Sequence, residues 1–402
     1  MLLLNIALEI TRPIGVKSGG FCADFWRPHP HAASHPPMAD APPSSSSHFP
    51  ADRRPLLERL RAVGAEVPHL PLADLPTPLG ELVLDDGCSF WLKNDGAAAP
   101  VYGGNKARKL EWLLAEAQAQ GAVAVRTTGA IGSNHCVATA IHASRVGLRT
   151  ELVQTPQPLS DHVRLNILAL SCFAQRMTLV GSYRGVAPAM AWARLTDRFR
   201  RQRTYPIPMG GSSVTGTLGY VNAALEFAEQ RARIGSTERL RIYLAAGTCG
   251  TLAGLIVGLE LAEIKADLVG VRVVDEAVTN EGVVRDLVAG TWRRLESLGL
   301  TRPAARVTWT LRHDGFGDGY GIGTPAGAAA QAELTLHSLK TEATYTAKAA
   351  AVMLADLRGG RAPAQATVFW HTLNSQPLLA ALPHDALTRV PAAYKRFFEV
   401  SR

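Results

Sequence analysis

The chain has 402 residues, 47% hydrophobic and 19% charged, enough to bury one large core or two ordinary ones. No uninterrupted apolar run approaches the ~20 residues that a bilayer-spanning helix needs, which argues against a helical membrane protein. The net charge of +8 comes from arginines spread along the chain rather than gathered in one segment, so it reads as a solvated basic surface and not as a nucleic-acid site.

The opening MLLLNIALEI is short, has no basic region before it and runs into Glu9 and Arg12. That is not the pattern of a cleaved secretory signal, and a cytoplasmic protein is expected. Residues 1–50 are rich in Pro, Ser, His and Ala; such a composition buries too little apolar surface to offset chain ordering, and a disordered leader is expected there. Met38, inside that stretch, is an alternative start. The five cysteines, Cys22, Cys88, Cys136, Cys172 and Cys249, form no Cys-x-x-Cys pair. They are expected as reduced, mostly buried thiols with no metal.

From about residue 68 short β-rich runs alternate with helical stretches, the pattern of an α/β protein with open, mostly parallel sheets and helices on both faces. The first strand is FWLKND. After it, Gly103-Gly104-Asn105-Lys106 makes a glycine turn into the amphipathic helix ARKLEWLLAEAQAQ. Lysine is sparse in this arginine-rich chain, and Lys106 falls at a helix start, where the dipole favours a lowered amine pKa. Such an amine is a nucleophile and the usual Schiff-base anchor of pyridoxal phosphate. The competing reading is that Lys106 and Lys109 decorate an exposed turn.

The strand VAVRTTG is followed by Gly132-Ser133-Asn134-His135 and the helix VATAIHASRVG, which puts the triplet at the carboxyl end of a parallel strand, where open α/β sheets bind ligands. A plain helix cap by Ser133 or Asn134 is the alternative. The strands RTELVQT and MTLVG and the helix LGYVNAALEFAEQRA come next. Then the strand RIYLAAG leads through Gly247, Thr248, Cys249, Gly250 and Thr251 into the helix TLAGLIVGLELAEI. Backbone N–H groups and hydroxyls at a helix N-terminus suit a phosphate, though a tight strand-to-helix turn has the same composition. The loop is neither G-x-G-x-x-G nor a Walker loop, which disfavours dinucleotides and nucleoside triphosphates. Beyond the strands LVGVRVVDE and VTWTLR lie Tyr320, the helix AGAAAQAELTLHSL, then Tyr345-Thr346, and last the strand ATVFW with His371-Thr372. Here rings that stack on a flat cofactor compete with ordinary core tyrosines.

In this order and spacing the segments resemble the pyridoxal-phosphate family that contains D-cysteine desulfhydrase and 1-aminocyclopropane-1-carboxylate (ACC) deaminase. The likeness runs from PTPL at residue 76 to the end, and GGNKARKLEWLLAEA, the Ser133-Asn134-His135 triplet and Ile207-Pro208-Met209-Gly210-Gly211-Ser212-Ser213 are its most specific parts. The resemblance implies fold type II of the pyridoxal-phosphate enzymes, shared with the tryptophan synthase β subunit. A smaller domain over residues 107–215 would be inserted into a larger one made of 51–106 and 216–402, and the enzyme would be a homodimer.

It also implies roles. Lys106 would be the Schiff-base lysine, Asn134 would lie near the cofactor's phenolic oxygen, residues 247–251 would form the phosphate cup and Lys109 would lie near the phosphate. Ser133 would contact a small amino-acid substrate, with Asn134, His135 and Tyr320 beside it. Tyr320 and Tyr345 would be the active-site tyrosines, the second against the pyridine ring. ACC deaminases carry Glu after the second tyrosine and Leu after the late histidine; D-cysteine desulfhydrases carry hydroxyl residues, as at Thr346 and Thr372 here, and His135 stands where deaminases resemble SNQ. A carboxylate beside the pyridine nitrogen strengthens the electron sink, whereas a threonine leaves it closer to neutral. Opening an unactivated cyclopropane needs the stronger sink; expelling thiolate does not.

The expected activity is β-elimination of D-cysteine to pyruvate, ammonia and sulfide. ACC, L-cysteate or 3-chloroalanine as substrate, a catalytically silent cofactor-binding protein, and a basic nucleic-acid binder are the rivals. Three stretches depart from the family pattern: His371-Thr372-Leu373-Asn374-Ser375 in place of His-Thr-Gly-Gly, Tyr345-Thr346-Ala347-Lys348 in place of Tyr-Thr-Gly-Lys, and Lys93-Asn94-Asp95 in place of a Lys-Arg-acid-acid run. All three are expected close to the substrate.

Overall fold

The computed structural model describes residues 52–399 apart from 232–233, 235–238, 305 and 364–365; the expected leader, Met38 and Cys22 lie outside the described residues. In chain order the elements are α1 (Pro55–Ala62), β1 (Leu79–Val83), β2 (Ser89–Asn94), α2 (Asn105–Ala119), β3 (Ala124–Ala130), α3 (Asn134–Arg145), β4 (Arg149–Thr155), α4 (Asp161–Phe173), β5 (Arg176–Leu179) and α5 (Val186–Arg200). There follow β6 (Thr204–Pro206), α6 (Val214–Gln230), β7 (Leu240–Ala246), α7 (Gly250–Leu261), β8 (Ala266–Arg272), α8 (Glu281–Ser297), β9 (Val307–Arg312), α9 (Pro325–Leu336), α10 (Thr346–Arg358), β10 (Thr367–His371) and the short α11 (Ala392–Lys395).

Two sheets result. One has six strands in the order β1-β2-β10-β7-β8-β9, parallel except for the β1–β2 pair at one edge; the other has four strands, all parallel, in the order β5-β4-β3-β6. Helices cover both faces of the larger sheet, and its middle strand shows why. Alternate residues of a strand point to opposite sides: Ile242, Leu244 and Ala246 of β7 join the core beneath α6 and α7, whereas Tyr243 and Ala245 join the core beneath α9 and α10. A strand apolar on both faces has no side to offer water, as parallel sheets require. In the smaller sheet Val125 and Leu152 pack under α2, α3 and α4, while Arg126 reaches the opposite side to pair with Asp197 of α5 at 2.7 Å.

The helix that follows the glycine turn is not amphipathic in the structure. Arg108, Lys109 and Glu111 are as buried as Leu110, Leu113 and Leu114, because each charge or amine has an interior partner: Arg108 bonds Asp95 and Glu226, and Glu111 bonds Arg54. Of the four described cysteines all are free; Cys136 and Cys249 are buried, but Cys88 and Cys172 are only half-buried, so burial of the thiols is less general than expected. No helix among the described residues is long and apolar enough to cross a membrane.

Candidate active site

Lys106 is the second residue of α2 and lines a cavity of about 500 Å³. The turn before it is fixed by backbone contacts. Gly104 has φ of 80°, and a Cβ there would stand 2.7 Å from the Thr372 carbonyl oxygen, so only glycine fits the turn. The Asn105 N–H donates to that same oxygen at 3.1 Å. Burial lowers the Lys106 amine to about 8, the direction expected. Lys109, one turn further, is more deeply buried, and its amine is held well below the ordinary value by burial and then by the Lys106 charge. Its Nζ donates to Gly210 O at 3.3 Å and Ser212 Oγ at 3.2 Å. Neither lysine decorates an exposed turn.

Two amines, Lys109 buried and Lys106 half-buried, with no carboxylate beside them among the described residues, call for an anion, and the loop after β7 supplies the rest of its setting. Cys249 caps α7 from the left-handed region, φ 63°, with no side-chain hydrogen bond to the helix, which leaves the Thr251 and Leu252 N–H groups unclaimed among the described residues. Ser212 Oγ lies 2.6 Å from Thr248 Oγ1 and accepts the Gly250 N–H at 3.2 Å. A Cβ on Gly250 would fall 2.8 Å from Lys109 Nζ and 2.5 Å from Ser212 Oγ. Glycine there keeps the loop, Ser212 and Lys109 converging on one space. N–H groups, hydroxyls and an ammonium are the donor set that a phosphate monoester takes, so the chain's own residues fit the phosphate end of pyridoxal phosphate.

Across the cavity Ser133 caps α3, its Oγ accepting the Cys136 N–H at 3.3 Å. The cap reading is thus correct for Ser133, and the same residue lines the cavity. Asn134 Oδ1 accepts from Tyr102 OH, His162 Nε2 and Asn166 Nδ2. His135 Nε2 lies 3.0 Å from Thr127 Oγ1, and burial together with the charges of Lys106 and Lys109 holds the ring well below its ordinary pKa and hence neutral. Tyr320 and Tyr345 meet edge to face, their hydroxyls 2.9 Å apart. Burial pushes the Tyr320 phenol up to about 12 and Tyr345 well above its ordinary value, so both are protonated at neutral pH. Thr346 begins α10 and its Oγ1 accepts the Glu342 N–H at 3.0 Å, which leaves its hydroxyl proton free to donate.

Lys106, Lys109, Ser133, Asn134, His135, Gly247, Thr248, Cys249, Gly250, Thr251, Tyr320, Tyr345, Thr346 and Thr372 all line this one cavity. Residues that the sequence reading did not single out line it too. Glu342 receives the N–H groups of Thr344 and Tyr345 on its carboxylate and so holds the start of α10; Tyr102 and Asp275 lie on the wall. One of the three departures lies elsewhere than expected, and a second does so only in part. Lys93 and Asp95 are fully buried in an ion network with Arg108 and Glu226, and Lys348 Nζ reaches Phe316 O and Gly319 O, bracing the loop before Tyr320. His371 likewise turns from the cavity to Asn94 and Lys340 O. Tyr345 and Thr346 of the second stretch do line the cavity, as do Thr372, Leu373 and Asn374 of the stretch after His371.

The chain matches the family described as pyridoxal-phosphate dependent enzyme over residues 70–372. It is similar to the D-cysteine desulfhydrase of Klebsiella pneumoniae (strain 342), with 36% identity over 328 residues, 79% of this chain and 97% of that protein. The D-cysteine desulfhydrase of Yersinia enterocolitica is 35% identical over 331 residues, with the same shares covered. Among solved structures, one titled an ACC deaminase homologue superposes with a TM-score of 0.65 at 27% identity, over 80% of this chain and 99% of that one. A fungal L-serine ammonia-lyase from Rhizomucor miehei superposes with a TM-score of 0.50 at 18% identity, over 81% and 100%, and bears on the fold alone.

Proposed function

Because the chain belongs to the pyridoxal-phosphate-dependent enzymes, we propose that it is a lyase that removes the β substituent and the amine of a small amino acid, with D-cysteine as substrate. Water and D-cysteine would give pyruvate, ammonia and hydrogen sulfide. The observation that carries the reading is Lys106: an amine lowered to about 8 by burial, on the wall of a cavity whose far side is an anion cradle. The cofactor, when bound, supplies an electron sink for a carbanion at the substrate α-carbon.

The remaining work falls to side chains. Lys106 Nζ would hold the cofactor covalently and, once released as a free amine that is partly neutral near pH 8, would take the α-proton. Lys109, Ser212, Thr248 and the first N–H groups of α7 hold the phosphate. Ser133 and the unclaimed N–H groups at the start of α3 orient the substrate carboxylate, with Asn134 and His135 beside them. Thr346, whose oxygen is already engaged by Glu342 N, offers a hydroxyl rather than a charge to the ring, and Thr372 offers a second hydroxyl. The Tyr320–Tyr345 pair, protonated at neutral pH, donates a proton at the β position.

The smaller sheet with α2 to α5 would act as the inserted domain, residues 107–215, and the rest, 51–106 and 216–402, as the larger one. In support, all four strands of the smaller sheet lie between β2 and β7 in sequence. We place the enzyme in the cytoplasm as the default location, and propose a homodimer on the strength of the family resemblance. The test of function is pyruvate release by cofactor-loaded protein on D-cysteine, L-cysteine, L-cysteate, 3-chloro-D-alanine and ACC. Turnover concentrated on D-cysteine is expected; turnover of ACC and not of D-cysteine would overturn the weight placed on Thr346 and Thr372.

A further inference from the structure

Asn134 reaches the cavity as the first residue of α3, and the groups around its amide leave it one orientation. The chain of reasoning starts at a backbone carbonyl, which can only accept. Asn166 of α4 places Nδ2 2.8 Å from Gly132 O, so that end of its side chain is the amine. The same Nδ2 lies 2.9 Å from the Asn134 side chain, and the Asn134 atom it meets must therefore accept and is Oδ1. His162 Nε2 lies 2.8 Å from that oxygen and 3.3 Å from Asn166 Nδ2; the two Nδ2 protons are used at the shorter contacts to Gly132 O and Asn134 Oδ1, so the ring nitrogen carries a proton and donates to Oδ1, where a bare nitrogen would face a lone pair. With Oδ1 engaged, Asn134 Nδ2 has no hydrogen-bond partner among the described residues, on a side chain that lines the cavity.

We propose that His162, oriented through Asn166, is a positioning residue that fixes Asn134 as a hydrogen-bond donor into the cavity, so that the ligand atom met there is an acceptor oxygen. This rests on the reading of Asn134 as a cofactor contact. His162 is outside the cavity wall and acts only through Asn134. Burial keeps its imidazole neutral, while Glu342 and Lys340 push in opposite directions, the first raising and the second lowering its pKa. A neutral imidazole has one N–H, and the network claims it at Nε2. Asn166 Oδ1 is left buried without a partner; a leucine would pack there without that cost.

The experiment compares cofactor-loaded wild type with His162→Leu, His162→Gln and Asn134→Ala. Glutamine can present an amide N–H near the place of Nε2–H; leucine cannot. Loss of one buried hydrogen bond predicts about fivefold weaker pyridoxal-phosphate binding for both His162→Leu and Asn134→Ala, with a displaced visible absorbance maximum, and recovery of both in His162→Gln. Normal affinity and spectrum in His162→Leu beside altered values in Asn134→Ala would overturn the positioning role. Normal values in Asn134→Ala would overturn the cofactor contact itself, and the positioning role with it. Two-bond proton–nitrogen NMR on histidine-labelled wild type decides even if a variant does not fold: His162 as the Nε2–H tautomer is expected, and Nδ1–H alone would overturn the assignment.

Discussion

A lysine serves as a nucleophile or base only in its neutral form, and at an ordinary pKa near 10.4 that form is rare at neutral pH. Lys106 escapes this through its position: it has no carboxylate partner among the described residues, and burial lowers its amine to about 8. The sign is definite. Below pH 8 the amine is mostly protonated and slow to react; above it the neutral form prevails. In cofactor-free protein the rate at which Lys106 captures pyridoxal phosphate, followed by absorbance, should therefore rise with pH with a midpoint about 8 and be absent in Lys106→Ala. A rise that continues without a plateau to pH 10 would mean that the amine is solvated. The neighbouring Lys109 is more deeply buried and hydrogen-bonds Ser212 and Gly210 O, which suits it to hold an anion rather than to react.

At the scale of elements, what the sequence shows depends on how local the cause is. Strands β2, β3, β4, β7 and β10 are legible because parallel strands carry nearly continuous β-branched and apolar runs, and the glycine turn and the 247–251 loop are legible because a turn is written in adjacent residues. Strand β1, LGELV on a sheet edge, and β6, three residues ending in proline, lack that signal. Glu342 and His162 are invisible in advance, and Ser212 is visible only as part of a family-like stretch with no role of its own, because each gains its role from partners brought close only by the fold. The same holds for Asn374. Its Oδ1 accepts the Gly103 N–H at 2.7 Å and the Gln376 N–H at 3.1 Å, tying the loop after β10 to the turn that launches α2. Asn374→Ala should leave Gly103 N–H without its partner, loosen the seat of Lys106 and lower kcat about tenfold with a smaller change in KM, at a stability cost of about 1–3 kcal/mol. Asn374→Asp, which keeps the acceptor, should recover most of kcat. An unchanged kcat in Asn374→Ala would show that the turn holds its shape through Thr372 O alone.

Over the whole molecule, the cavity needs its walls held in register, and a buried ion network does this where four elements meet. Arg108 of α2 bonds Asp95, just past β2, at 3.0 Å and Glu226 of α6 at 2.9 Å; Trp370 of β10 and Tyr220 of α6 both donate to Asp95 Oδ2. Lys93 of β2 completes it at Glu226. Burial opposes the Glu226 charge, yet Arg108 and then Lys93 outweigh that and hold its carboxyl at about 2. A carboxyl depressed in the folded state stabilises above its unfolded pKa and loses that stabilisation as pH falls through the folded value, here a window from about pH 5 down to 2 worth about 3 kcal/mol. Glu226→Gln leaves Arg108 and Lys93 facing a neutral amide, and should cost about 3–5 kcal/mol at pH 7. The sharper expectation concerns the difference between the two proteins in urea unfolding: wild type should lose stability faster than Glu226→Gln between pH 5 and 3, so that the gap narrows, because the variant has no carboxyl left to protonate. A gap that stays constant over that range would mean that other acids govern the acid limb and that the network holds the walls by shape rather than by charge.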